Sequence, residues 1–283
     1  QVADLLGIEG GPAPEPIAAG PTVTDAQQAV LDALGGLGGG LSEGEIRSII
    51  AEGIDAHRPV QVWAGKMKIG KTQGKAHPEL DECLRIAAVR LPLLLVGPAG
   101  SGKSHLGNQI AEGLKLPFYS ISCSAGMSEG HLLGRLLPTG EGGRFEYHRS
   151  DFVKAYEEGG VFLLDEIDAA DANTLLVLNS AIANGHLSVP NRLGNTVAKR
   201  HKDFILVAAA NTWGKGANRV YCGRNALDEA FLNRFTAGTC ELDYDEKLEA
   251  ALSGSPALAR ALQRLRKKAR KANLHRVISM RNC

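Results

Sequence analysis

Long apolar runs are missing from this chain. The most extended, Leu91 to Gly97 (LPLLLVG) and Val161 to Leu164 (VFLL), fall far short of the roughly 20 residues that span a bilayer. No secretory signal pattern opens the sequence, so no membrane association is expected and the expected location is cytoplasmic. Cysteines are few and scattered: Cys83, Cys123, Cys222, Cys240 and Cys283 form no CxxC pair and have no histidines at zinc-ligand spacing. That argues against a zinc site and for reduced, mostly buried thiols. Aromatics amount to only 5% while glycines number 34, which favours many turns and close backbone approaches over an all-β sandwich. A strong net charge is lacking too. At +1 the chain has no overall field to draw it to nucleic acid, although every lysine and arginine lies at Arg47 or later. What is present, 283 residues with 44% hydrophobic content, suffices to bury one large core with smaller attachments.

Residues 1–41 are rich in Gly, Ala and Pro and run into GGLGGG, the composition of a flexible arm, with one short helix expected over Asp25 to Leu34. The arm reads as a mobile tail or as a segment that docks on a neighbour. The folded part begins with residues 42–77. Ser42 and Glu45 form a capping box, Ile46, Ile49, Ile50 and Ile54 recur at helical spacing, and VQVW with KMKIGKTQGK reads as a small β element with a basic loop. A helix is expected over Glu79 to Arg90. Over residues 78–240 strand and helix patterns alternate: LPLLLVG, a helix from Lys103 to about Leu114, PFYSISC, VFLLDE, a helix near Asn173 to Asn184, and FILVAAA. Strands this apolar are buried on both faces, so the expected core is a doubly wound α/β domain around a parallel sheet.

Gly97 to Ser104 reads GPAGSGKS between a buried strand and a helix, the context in which this spacing makes a phosphate-binding loop. Gly97, Pro98, Ala99, Gly100, Ser101, Gly102, Lys103, Ser104 and His105 are the expected nucleotide-binding residues. Their backbone N–H groups and the helix N-terminus would face the anion. Lys103 would reach the β- and γ-phosphates, and Ser104 would put its hydroxyl on Mg²⁺, a hard cation that prefers oxygen. VFLLDEID places Asp165 and Glu166 at the C-terminal end of a strand, where open α/β sheets bind ligands. Asp165 would hold the metal through water. Glu166 would orient and polarise the attacking water, because phosphoryl transfer depends on positioning more than on covalent help. Asp168 is expected to be a helix N-cap or an exposed acid. Asn211 ends the strand FILVAAA and would lie beside the γ-phosphate if that strand sits between the other two.

These residues resemble an AAA+ ATPase, specifically the MoxR, CbbQ, CobS and dynein-related branch, over roughly Pro78 to Arg281. Further markers are HLLGRLLPTGEGGRFEYHRSDF and LNSAIANGHLSVPNRLGNTVAKR, similar to the two hairpins inserted in that branch, and LDEAFLNRF, similar to the segment carrying an arginine finger. The resemblance implies that Arg234 enters the site of an adjacent subunit, with Arg224 able to serve instead or as well. Arg281 would be the lid arginine that senses the γ-phosphate in cis. In that family a lid helix continues past this arginine, so the lid at 241–283 is expected to be incomplete. Phe145, Tyr147 and His148 on the first hairpin could contact a substrate or simply pack. The basic helix Leu258 to Asn273, with Leu258, Leu262 and Leu265 on its apolar side, reads as a solvated lid face.

The resemblance implies a ring, a hexamer by family expectation, that uses ATP and Mg²⁺ to remodel a partner protein. A nucleic-acid motor using the basic helix with Arg192, Lys199 and Arg200 is the alternative, and a nucleotide-gated scaffold with little turnover is a third. Adenine over guanine rests on the resemblance alone.

Overall fold

Each apolar run read as a strand of the core is indeed a strand, and all of them join one parallel sheet. The computed structural model describes residues 61–64, 67–71, 75–140, 143–272, 274 and 277–279. The expected N-terminal arm, its helix, the isoleucine-patterned helix and Arg281 lie outside these residues. The strands are β1 (Gln61–Ala64), β2 (Met67–Lys71), β3 (Leu93–Val96), β4 (Phe118–Ser122), β5 (Arg135–Pro138), β6 (Phe145–His148), β7 (Gly160–Asp165), β8 (His186–Ser188), β9 (Val197–Lys199), β10 (Phe204–Ala210) and β11 (Thr239–Glu241). The helices are α1 (Leu80–Ala88), α2 (Lys103–Leu114), α3 (Glu129–Leu133), α4 (Asp151–Glu158), α5 (Ala172–Asn184), α6 (Glu229–Leu232), α7 (Glu246–Leu252) and α8 (Pro256–Lys271).

The sheet order is β11-β3-β10-β7-β4, every pair parallel. Alternation along the strands divides the core in two. Leu93 and Leu95 of β3, with Val161 and Leu163 of β7 and Ile205 and Val207 of β10, pack under α1 and α2. Their neighbours Leu94, Val96, Phe162, Leu164, Phe204 and Leu206 face the opposite layer, built on α4 and α5. Each fully buried leucine, isoleucine or phenylalanine contributes about 1.5–3 kcal/mol of transfer free energy, so both faces are strongly specified. Four of the scarce aromatics meet in the second layer. Phe152 sits edge-on to Phe162 at 5.1 Å, Tyr156 edge-on to Phe204 at 5.0 Å, and the Tyr156 hydroxyl donates to Ala181 O at 2.9 Å.

Both inserted segments are antiparallel hairpins, β5–β6 and β8–β9, as are β1 and β2. In the first insertion Tyr147 is spent on packing, its hydroxyl donating to Leu133 O at 2.6 Å, whereas Phe145 is 60% exposed beside exposed Leu136 and Leu137. Three of the cysteines, Cys83, Cys123 and Cys240, are buried free thiols, while Cys222 is exposed.

The lid helix departs from the sequence reading. Leu258 and Leu265 are exposed, and the buried face of α8 carries Ala259, Gln263, Arg266 and Ala269. The reason is electrostatic. Glu249 on α7 is 1% exposed and takes a two-pronged hydrogen bond from Arg266, whose Nε also donates to Ile278 O at 2.7 Å. The guanidinium lies 3.8 Å over the Tyr244 ring. Burying this charge obliges the arginine side of the helix to turn inward, which leaves the leucine side out. Among the described residues no helix is long and apolar enough to cross a membrane.

Candidate functional site

The phosphate-binding loop is shaped by two glycines. A Cβ on Gly97 would stand 2.1 Å from Leu242 O, so only glycine lets the chain after β11 close against the end of β3. Gly102 has φ +95°, a left-handed conformation that side chains resist, and it leads directly into α2. Helices α4, α5, α7 and α8 each begin with a Ser or Asp side chain accepting a backbone N–H. Helix α2 has no such side-chain cap, so its first N–H groups and positive dipole end are directed at the loop. Ser101 is fully buried, and its Oγ has no hydrogen-bond partner among the described residues. An uncapped twelve-residue helix behind a curled loop with a waiting hydroxyl is suited to an anion.

At the start of α2, Lys103 Nζ donates to Gly97 O at 2.7 Å, Pro98 O at 2.9 Å and Asn211 Oδ1 at 2.9 Å. Ser104 Oγ donates to Asp165 Oδ2 at 2.5 Å. The loop, the acidic strand and the polar strand end thus converge on one point. Asn211 is there because β10 lies between β3 and β7, the condition on which its expected position depended. A hydroxyl and a carboxylate held together are the hard-oxygen donors that suit Mg²⁺. Burial, reinforced by the nearby carboxylates of Asp165, Asp168 and Glu166, pushes the neighbouring Cys123 thiol up to about 12.

Glu166 follows in a left-handed conformation, φ 54° and ψ 40°, uncommon for a residue with a side chain and found where function holds strain. Its backbone N–H donates to Asp165 Oδ1 at 2.9 Å. Asp168 corrects the sequence reading. It is neither an N-cap nor exposed but fully buried in the turn after β7. Its Oδ2 accepts from Asn211 N at 3.1 Å, Thr212 N at 2.9 Å and Thr212 Oγ1 at 2.9 Å. Its Oδ1 lies 3.3 Å from Arg224 Nη1, and Arg224 Nη2 lies 3.3 Å from Glu166 Oε1. Asp168 therefore ties the end of β7 to the end of β10. Arg224 is engaged within its own chain.

The cavity over the loop measures about 840 Å³, a size that holds a small-molecule cofactor. Gly100, Ser101, Gly102, Lys103, Ser104, His105, Asp165, Glu166 and Asn211 line it, together with Ala99. Residues that the sequence did not mark, Lys75, His77, Gln109, Ser122, Leu248 and Leu252, close its sides. Leu248 and Leu252 come from α7, so the lid borders the cavity. Two tyrosines that sequence reasoning also missed hold the loop from behind. Ala99 N donates to the Tyr221 hydroxyl at 2.9 Å, and the Tyr244 hydroxyl donates to Ala99 O at 2.7 Å. Only the Gly97–Ser104 spacing signalled this loop; nothing local to Tyr221 or Tyr244 did. Arg234 is not brought into this site. It is half-buried, its Nη1 donates to Ala230 O, its Nε has no hydrogen-bond partner, and it has no acidic partner among the described residues.

Proteins of Staphylococcus epidermidis and Staphylococcus aureus, both described only as uncharacterized, are 33% and 32% identical to this chain over 155 residues, 54% of its length and 55% of theirs. The chain spans about half the length of the curated relatives it matches. A solved structure from Cytophaga hutchinsonii, presented as a candidate ATPase, is similar with a TM-score of 0.48 at 20% identity, covering 62% of this chain and 48% of that one. The pattern of the AAA domain, dynein-related subfamily, matches residues 92–235, half of the chain. Four of the five strands of the sheet, the phosphate-binding loop and the acidic strand lie within that span, and the chain belongs to the AAA domain family in its dynein-related subfamily.

Proposed function

We propose that this chain is a subunit of a ring-forming ATPase of MoxR-like type, a hexamer by family expectation, that couples ATP hydrolysis to remodelling of a partner protein. The observation that carries the reading is the convergence of Lys103, Ser104, Asp165 and Asn211 at the ends of three adjacent strands, with Glu166 beside them. Lys103 and the loop N–H groups would hold the β- and γ-phosphates, with Ser104 and Asp165 holding Mg²⁺, which when bound neutralises charge developing on the phosphates. Glu166 would polarise the attacking water, and Asn211 would fix the γ-phosphate. Arg234, without an acidic partner among the described residues, would complete the site of a neighbouring subunit. Exposed Leu136, Leu137 and Phe145 on β5–β6, and Leu193 on the β8–β9 loop, support a protein partner. A nucleic-acid motor finds less support, because Arg192 is committed to Glu157 by two hydrogen bonds of 2.7 and 2.9 Å.

The test is steady-state ATP hydrolysis against protein concentration for wild type, Glu166→Gln and Arg234→Ala, with mass measured in parallel. The expected outcome is specific activity that rises with a ring-sized species and is lost in both variants. Flat activity in a monomer, or activity that survives Arg234→Ala, would overturn the ring mechanism.

A further inference from the structure

We infer that Arg224 is a positioning residue that acts in cis, clasping Glu166 of its own subunit against Asp168 so that the carboxylate stays aimed at the attacking water. This rests on the reading of Glu166 given above. It separates Arg224 from the inter-subunit role that its place in the sequence also allowed.

Residues 213–225 leave the end of β10 and fold back on themselves. Leu227 N donates to Gly214 O at 2.9 Å, Lys215 and Ala226 form an isolated antiparallel bridge, and Asn218 Oδ1 accepts from Val220 N and Tyr221 N. The loop is fastened at two places to the nucleotide site. Tyr221 takes the Ala99 N–H of the phosphate-binding loop. Asn225 N donates to Asp168 O at 2.7 Å, and Asn225 Nδ2 to Ala170 O at 2.9 Å. Arg224 lies between these anchors, so its position is fixed by backbone on either side.

Its side chain is 14% exposed and spans two acids, Glu166 at 3.3 Å and Asp168 at 3.3 Å. Arg224 is turned toward acids of its own chain, one nitrogen of its planar fork facing each carboxylate as an ion pair. Glu166 needs such a partner. Its backbone is held in the left-handed region while its side chain is 46% exposed. A carboxylate so exposed samples several rotamers unless something outside its own residue fixes it. Water activation depends on orientation, and misplacement by about 1 Å can cost on the order of 100-fold.

The experiment uses the assembled full chain. Arg224→Ala is expected to lower kcat about 10- to 100-fold with KM for ATP within about threefold of wild type. Arg224→Lys is expected to restore part of kcat, since an ammonium reaches one carboxylate but cannot fork between two. Mixing separates cis from trans. Glu166→Gln subunits mixed with Arg224→Ala subunits should show no activity above that of Arg224→Ala alone, because no site then contains both groups. The same mixture made with Arg234→Ala should regain activity and so report that subunits exchange. Wild-type kcat in Arg224→Ala, a change confined to KM, or recovery in the Glu166→Gln and Arg224→Ala mixture overturns the inference. Should Arg224→Ala fail to fold, Arg224→Lys carries the kcat and mixing measurements. A wild type without ATP turnover sinks the proposed function itself, whereas an active wild type with an unaffected Arg224→Ala sinks only the clasp.

Discussion

Removing the Asp168 carboxylate should loosen the molecule more than removing any exposed acid, and the size of the effect follows from its four contacts. The side chain is fully buried and accepts two backbone N–H groups and one hydroxyl on Oδ2, while Oδ1 takes no hydrogen bond and faces Arg224 only as an ion pair at 3.3 Å. Breaking a buried ion pair by deleting one partner costs about 3–5 kcal/mol. Arg224 would retain Glu166, which favours the lower end, while the orphaned N–H groups of Asn211 and Thr212 push the figure up. Their hydrogen bonds share one carboxylate and cannot be summed, so about 4 kcal/mol is the expected cost of Asp168→Ala. In a domain of this size each kcal/mol moves Tm by about 2–4 °C, so the expected fall is about 8–16 °C. Asp168→Asn keeps an acceptor for the three donors but loses the charge facing Arg224, and about half that fall is expected. The double variant Asp168→Ala with Arg224→Met should be more stable than the sum of the single changes implies, because both changes remove the same ion pair. Thermal melts followed by circular dichroism measure the wild type, the two Asp168 variants, Arg224→Met and the double variant. A Tm for Asp168→Ala within about 2 °C of wild type would refute the reasoning.

In the lid, Glu249→Ala leaves the Arg266 guanidinium buried without its carboxylate and should cost about 3–5 kcal/mol, whereas Glu249→Leu with Arg266→Met should recover most of it; urea denaturation separates the two outcomes. For Cys123, burial raises the folded pKa to about 12 from about 8.5 in the unfolded chain, so the neutral thiol contributes stability that is complete below about pH 8.5 and is lost as pH climbs toward 12. Iodoacetamide at pH 8 should therefore modify exposed Cys222 and spare Cys123, read by peptide mass spectrometry; labelling of Cys123 in the folded protein would contradict its burial.

Much of the fold was legible because buried parallel strands write themselves as uninterrupted apolar runs, and the helix after the loop was expected at the residues where it stands, Lys103–Leu114. The phosphate-binding loop was legible for a different reason: its chemistry needs fixed residue types at fixed spacing. Asp168 was misread because its meaning lies in β10, 43 residues away, and DEID alone looks like the start of a helix. The inward turn of Arg224 was invisible for the same reason. The lid helix misled because apolar count along one strip predicts the buried face only when no charge pair competes for it. Here Arg266 and Glu249 did.

The contacts of Ala99 give the lid a direct hold on the phosphate-binding loop. Tyr244 precedes α7, stacks under Arg266 of α8, and donates its hydroxyl to Ala99 O. Tyr221 accepts from the same residue's N–H, from a loop whose other end grips Asp168. One residue of the phosphate-binding loop is therefore held by the lid at its carbonyl and by the loop after β10 at its amide N–H. A shift of α7 and α8 toward or away from the cavity would pull on Ala99, and the Tyr221 contact would carry that pull toward Arg224 and Glu166. The phenol that bonds to Ala99 O is thus the point where the lid meets the phosphate-binding loop.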